Sequence, residues 1–174
     1  MMKKVIFIIL IQFSGCIAPK STYQTEDFTC YPKAVYLFRH AEKQVIKGED
    51  NPELTKAGFV RSNALAEAMT DISAGLIYSS EYTRTQQTAA PLAKQWSTDI
   101  IIKTAKDPEA QVDIALANCN QHVIIVGHSN TIPNLISLFG VVEEITIEDN
   151  QYGDLFIIEL ENAKPNLRVE QVGE

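Results

Sequence analysis

Ala34-Val35-Tyr36-Leu37-Phe38-Arg39-His40-Ala41-Glu42-Lys43 runs five apolar residues straight into an arginine and a histidine. A second stretch repeats the pattern further along, with Val123-Ile124-Ile125-Val126-Gly127 leading into His128-Ser129-Asn130-Thr131. Short apolar runs bounded by turn residues read as buried parallel strands. In open α/β sheets, ligands bind just beyond the carboxyl ends of such strands. If the two strands lie side by side, Arg39, His40 and His128 converge on one crevice. Two histidines with an arginine attached suggest a phosphate site.

Outward from these strands the chain alternates. Residues 42–54 read as a polar loop, and Thr55 has the character of a helix N-cap for a helix from Lys56 to Met69. Leu76–Ser80 reads as a strand, Glu81–Trp96 as a helix and Ile100–Ile102 as a third strand. Glu109–Ala117 is a helix leading into the Val123 strand. Ile132–Phe139 is another, with Gly140 suited to its stop. Leu155–Leu160 and a short run near Val169 are late strands of unassigned direction. This alternation predicts a three-layer α/β/α sandwich around a mostly parallel sheet.

The third corner of the crevice is Ser79-Ser80-Glu81-Tyr82-Thr83-Arg84-Thr85, a strand end turning into a helix with Arg84 in its first turn. Helix N-terminal amides favour anions, and Arg39 and Arg84 offer planar, permanently charged forks for phosphate oxygens. Each residue alone reads more simply as structural or solvated. Their joint placement at three strand ends is what favours a site.

With 174 residues, 45% hydrophobic and 21% charged, the chain suits one globular domain. Its net charge of −7 argues against sequence-independent nucleic-acid binding, which needs a basic face. Met1-Met2-Lys3-Lys4 and the apolar run Val5–Ile11 read as a signal peptide over residues 1–15, too short to span a bilayer. Phe13-Ser14-Gly15-Cys16 resembles a bacterial lipobox, with Phe13 where leucine is common. On that reading Cys16 is lipidated, residues 16–33 form a tether of up to ~55 Å, and residues 34–174 form the domain. The expected location is the cell envelope, with a lipid anchor as the membrane contact; an ordinary secretory signal or a buried N-terminal strand is the alternative. Cys30 and Cys119 each precede a histidine strand by four residues, so a bridge between them at the non-catalytic edge is geometrically open. Two unrelated thiols is the other reading.

The motifs together resemble the histidine phosphatase superfamily, also called phosphoglycerate-mutase-like, and in particular its small bacterial phosphatases. Arg39-His40-Ala41 resembles its R-H-G signature, with alanine for glycine. Leu54-Thr55-Lys56-Ala57-Gly58 resembles L-T-x-x-G, Ser79 to Ala89 resembles S-S-x-x-x-R-T-x-x-T-A, and Val126-Gly127-His128 resembles V-G-H. The resemblance implies a metal- and cofactor-independent phosphatase acting on a phosphorylated small molecule or phosphoprotein. His40 would be the nucleophile, passing through a phosphohistidine, with Arg39, Arg84 and His128 binding the phosphoryl group. Lys43, Ser129 and Asn130 are candidate substrate contacts, with Lys43 more simply read as a solvated lysine.

In larger relatives a glutamate some way beyond the second arginine protonates the leaving oxygen. That interval includes Asp107 and Glu109, although Asp107 could equally cap the helix after it. Glu81 is a further candidate that could simply pair with Arg84. His122 reads as structural or exposed, since it is too far along its strand from His128 to share an ion. A nucleophile-elbow hydrolase fails, because Thr131 replaces the final glycine of G-x-S-x-G and no histidine follows His128. A mutase is disfavoured by the lack of room for a lid, and a phosphate-binding module without turnover is the non-enzymatic alternative. The sequence leaves the oligomeric state open.

Overall fold

The computed structural model describes residues 29–161 and 163–173; the leader, Cys16 and the tether through residue 28 lie outside the described residues. Four helices and six strands alternate: β1 (Ala34–Arg39), α1 (Lys56–Ala68), β2 (Leu76–Ser79), α2 (Thr83–Trp96), β3 (Ile100–Ile102), α3 (Pro108–Leu116), β4 (His122–Gly127), α4 (Thr131–Leu138), β5 (Asp154–Glu161) and β6 (Lys164–Gln171). The strands form one sheet in the order β3-β2-β4-β1-β5-β6. The β3·β2, β2·β4 and β4·β1 pairs are parallel, whereas β5 runs antiparallel to β1 and β6 antiparallel to β5.

The continuous apolar runs of β1 and β4 follow from burial on both faces. Val35, Leu37, Val123 and Ile125 pack with Val112 and Leu116 of α3 and Leu135 of α4. Tyr36, Phe38, Ile124 and Val126 pack on the opposite face with Leu65 of α1 and Leu92 of α2. This period-two division makes the three layers.

The late strands differ most from the expectation. The segment near Val169 is an eight-residue edge strand, nearly all half-buried or exposed. Its residues include Lys164, Pro165, Arg168 and Glu170, which carry little apolar periodicity and keep an edge from pairing with other chains. Helix α2 starts at Thr83, two residues later than the pattern suggests.

Two local devices hold the carboxyl edge of β1. The polar loop after it is pinned at its ends, with Gln44 N donating to Glu53 O (2.8 Å) and Thr55 N to Glu42 O (2.8 Å). Thr55 then caps α1 by accepting from Gly58 N. A Cβ at Gly58 would run into the Glu42 carbonyl oxygen, so only glycine lets α1 start this close to β1. At the other edge Cys30 and Cys119 are joined in a disulfide, their Cα atoms 5.3 Å apart. Main-chain bonds from Lys33 N to Gln121 O (2.8 Å) and Asn120 N to Tyr31 O (2.9 Å) prolong the β1·β4 contact towards it.

Two stability measurements check these devices. Gly58→Ala is expected to lower the urea midpoint, costing ~1–3 kcal/mol, although Gly→Ala in an unobstructed helix usually stabilises. Cys30→Ser with Cys119→Ser removes a link across 89 residues. It should cost about 2–5 kcal/mol in the same urea measurement.

Candidate active site

The end of β1 meets the end of β4, with Arg39 paired to Gly127. The next amide continues the ladder, His40 N donating to Gly127 O at 2.8 Å. The His40 and His128 rings are therefore neighbours, 5.3 Å between centroids and nearly edge to face. Both residues are buried, at 4% and 8% exposure. Gly127 is required here, because a Cβ would lie 2.8 Å from Thr131 Oγ1 and 3.0 Å from Ile132 Cδ1 at the start of α4.

His40 Nδ1 lies 2.8 Å from the Ala41 carbonyl oxygen. A carbonyl only accepts, so Nδ1 carries the proton and Nε2 keeps its lone pair. Burial lowers the His40 pKa from 6.5 to about 3, against the Ala41 hydrogen bond and with help from His128, Arg84 and Arg39. A neutral imidazole with a free Nε2 is the nucleophilic form. Ala41, fully buried, donates its N–H to Thr88 Oγ1 (2.9 Å), and Thr88 Oγ1 donates to Arg84 O (2.7 Å), fastening β1 to α2.

The His128 tautomer follows from a directional chain. Thr85 Oγ1 donates to Tyr82 O at 2.7 Å. Having one proton, it must accept from Ser80 Oγ at 2.8 Å. Ser80 Oγ in turn accepts from His128 Nε2 at 2.9 Å. His128 Nδ1 is left as an acceptor, 3.4 Å from Arg84 Nη2. Burial, then Arg84, lower the His128 pKa to about 4, with Glu81 opposing.

The histidines face a cavity of about 410 Å³ lined by Arg39, Lys43, Tyr82, Arg84, Ala105, Lys106, Ser129, Asn130, Thr131 and Asp149. Arg39 Nη1 donates to Glu148 O and Gln151 O, both at 2.7 Å, and Nη2 to Asp149 O at 3.0 Å. Its guanidinium lies 4.3 Å from the centre of the Tyr152 ring. Arg84 lies equally close to the Tyr82 ring, whose edge-to-face partner is His128. The Nε–H groups of both arginines are buried without a hydrogen-bond partner. Buried donors are nearly always satisfied, so two unpartnered Nε–H groups in arginines lining one cavity suit it to an anion.

Arg39, His40, Arg84, His128, Lys43, Ser129 and Asn130 are thus brought together. The three acids singled out from the sequence are not. Asp107 caps α3 by accepting from Ala110 N, and Glu109 sits exposed in the first turn of that helix. Glu81 accepts from Ala105 N (2.9 Å) and Thr104 Oγ1 (3.4 Å), holding the β3–α3 loop. That loop does reach the cavity, but with Ala105 and Lys106. His122 sits at the start of β4 with its ring near Tyr36.

Tyr82 could have been found as the residue two before Arg84. Tyr152 and Asp149 had no sequence signal, being over a hundred positions from the arginine they meet. Among the described residues no group of three His, Cys, Asp or Glu side chains is placed to hold a metal ion. A more apolar groove of about 590 Å³ between α1 and α2, lined by Phe59, Ala66, Ala90 and Pro91, contains none of these site residues.

Residues 35–106 match the family model of the histidine phosphatase superfamily (branch 1). Over that stretch the chain is similar to the histidine phosphatase superfamily. No curated protein matches its sequence. Solved structures share the fold at low identity. A phosphoserine phosphatase from Entamoeba histolytica superposes with a TM-score of 0.62 at 16% identity, over 81% of this chain and 96% of that one. A mycobacterial glucosyl-3-phosphoglycerate phosphatase gives 0.62 at 12%, over 81% and 98%. The Agrobacterium tumefaciens protein assigned as the phosphohistidine phosphatase SixA gives 0.57 at 21%, over 80% and 97%.

The two buried histidines should make the protein acid-sensitive. Their folded pKa values, about 3 and about 4, lie below the ordinary 6.5. Between these limits the unfolded chain binds more protons, so their contribution is present above pH ~6.5 and lost as pH falls. Urea unfolding at about pH 4.5 should show roughly 2 kcal/mol less stability per histidine than at about pH 7. An unchanged pH slope in a His40→Gln/His128→Gln double variant would rule out this origin.

Proposed function

We propose that the protein is a phosphatase that hydrolyses phosphomonoesters or phosphohistidine through a phosphohistidine on His40. The observation that carries this is the convergence of a neutral His40 and two unpartnered Arg Nε–H groups on one cavity. The nucleophile and the donors for the transferred group are in place before substrate arrives. The phosphatase names of the structural neighbours agree with this reading.

His40 Nε2 attacks phosphorus while the Ala41 carbonyl holds the ring by Nδ1–H. Arg39 and Arg84 offer their free N–H edges to the equatorial oxygens and stabilise charge as the phosphoryl group transfers. A bound dianion favours a protonated His128, whose Nδ1 then changes from acceptor to donor and adds a third contact. Lys43, Lys106, Ser129 and Asn130 surround the rest of the substrate. No step requires a metal. The roughly 410 Å³ cavity suits a phosphoryl group with a small flanking moiety, or the exposed side chain of a phosphoprotein.

The same proposal places the protein in the cell envelope, anchored by lipid at Cys16. The Cys30–Cys119 bridge supports this, because such bonds persist in oxidising compartments. Labelling cells with a fatty acid should mark the wild type, and the mark should vanish in Cys16→Ser.

The chemistry is tested by quenching the enzyme with a 32P-labelled phosphomonoester. An acid-labile, base-stable label is expected, absent from His40→Ala, with turnover reduced roughly 10³-fold or more in that variant. Turnover should be unaffected by a metal chelator. Undiminished hydrolysis by His40→Ala would refute the proposal.

A further inference from the structure

Resting on the phosphatase reading, the geometry points to Asp149 as the residue that exchanges a proton with the leaving group and then with water. Transfer of a phosphoryl group to His40 leaves an electron pair on the departing oxygen. Unless that oxygen is already a weak base, it needs a proton in the transition state. Asp107 and Glu81 have their carboxylates engaged elsewhere, and the β3–α3 loop presents Lys106 to the cavity. Asp149 is the one residue lining the cavity that has a carboxyl group.

Its loop is held by the site itself. Three carbonyls in the stretch 148–151, including that of Asp149, accept from the Arg39 guanidinium, which also lies against Tyr152. Gln151 closes the turn, its N–H donating to Glu148 O (3.0 Å) and its Oε1 accepting from Glu148 N (3.1 Å). Gln151 Nε2 also donates to the Asp154 carboxylate. The backbone is therefore fixed on every side, while the Asp149 carboxyl takes no hydrogen bond or ion pair among the described residues. A backbone held by Arg39, in a cavity-lining residue whose own carboxyl is uncommitted, is an arrangement that a proton-transfer group can use.

The balanced sequence is short. His40 Nε2 forms the N–P bond, the P–O bond to the leaving group breaks, and its electron pair takes the Asp149 carboxyl proton, releasing an alcohol or phenol. Asp149, now a carboxylate, removes a proton from water as the water oxygen bonds to phosphorus. The P–N bond breaks, its electron pair returns to His40 Nε2, and phosphate leaves with Asp149 protonated again.

Leaving-group dependence tests this apart from the overall reading. Asp149→Asn keeps the side-chain shape and the backbone carbonyl bound by Arg39. Phenyl phosphate and 4-nitrophenyl phosphate transfer the same group but release oxygens of very different basicity. In Asp149→Asn, kcat/KM for phenyl phosphate should fall about 10²-fold and that for 4-nitrophenyl phosphate less than about threefold. Equal losses on both substrates, or no loss on either, would overturn the role of Asp149 while leaving the His40 chemistry standing. If the wild type hydrolyses neither and forms no phosphohistidine, the phosphatase reading fails instead.

Discussion

Everything at the site depends on the parallel pairing of β1 with β4. That ladder sets Arg39 opposite Gly127, and one further bond, from His40 N to Gly127 O, carries the register past the end of the sheet. The two imidazoles do not find each other by mutual attraction. They meet because the strands beneath them bury apolar side chains on both faces, against α1 and α2 on one side and α3 and α4 on the other. The disulfide ties the opposite end of the same pair. Burial of hydrocarbon, which has no direction of its own, becomes positional accuracy through the ladder's fixed spacing.

The electrostatic consequence is a cavity that concentrates positive charge and unpartnered donors. Within an acidic chain, Arg39, Lys43, Arg84 and Lys106 line one cavity beside two histidines. Burial and the guanidiniums hold both imidazoles neutral, which keeps the His40 lone pair available. Each unpartnered Nε–H costs on the order of 1–3 kcal/mol when buried. On the proposed function, phosphoryl oxygens would recover that cost, so the groups that weaken the empty fold would strengthen binding.

Much of this was legible in the sequence because the signals were local. Apolar runs ending in Arg39-His40, Ser79-Ser80 and Gly127-His128 marked three strand ends at one edge of the sheet. Thr55 and Gly58 announced the cap of α1. What stayed hidden lies in tertiary contacts between distant positions. Asp107 and Glu109 had a plausible spacing from Arg84, yet spacing cannot say which residues of a loop turn inward; Ala105 and Lys106 do, because Glu81 binds the Ala105 amide. The stacking of Arg84 on Tyr82 and Arg39 on Tyr152 is likewise a product of the packed fold. Strand β6 was under-read because an exposed edge has no apolar alternation to display.

The direction of β5 explains why a loop so late in the chain serves the site at all. A parallel β5 would start at the disulfide edge, and the residues before it would lie far from His40. Running antiparallel, with Leu155 opposite Phe38, it starts where β1 ends. Residues 148–152 therefore arrive beside Arg39. A guanidinium has five N–H donors in a rigid plane, and Arg39 gives three to that loop. Two remain, one of them the unpartnered Nε–H, enough for one bidentate grip on a phosphoryl group. Lysine, with three donors around a point charge, could not brace the loop and hold the anion at once. The arginine of the Arg39-His40 pair is thus needed for its geometry more than for its charge. It joins the first strand of the sheet to the loop that delivers Asp149.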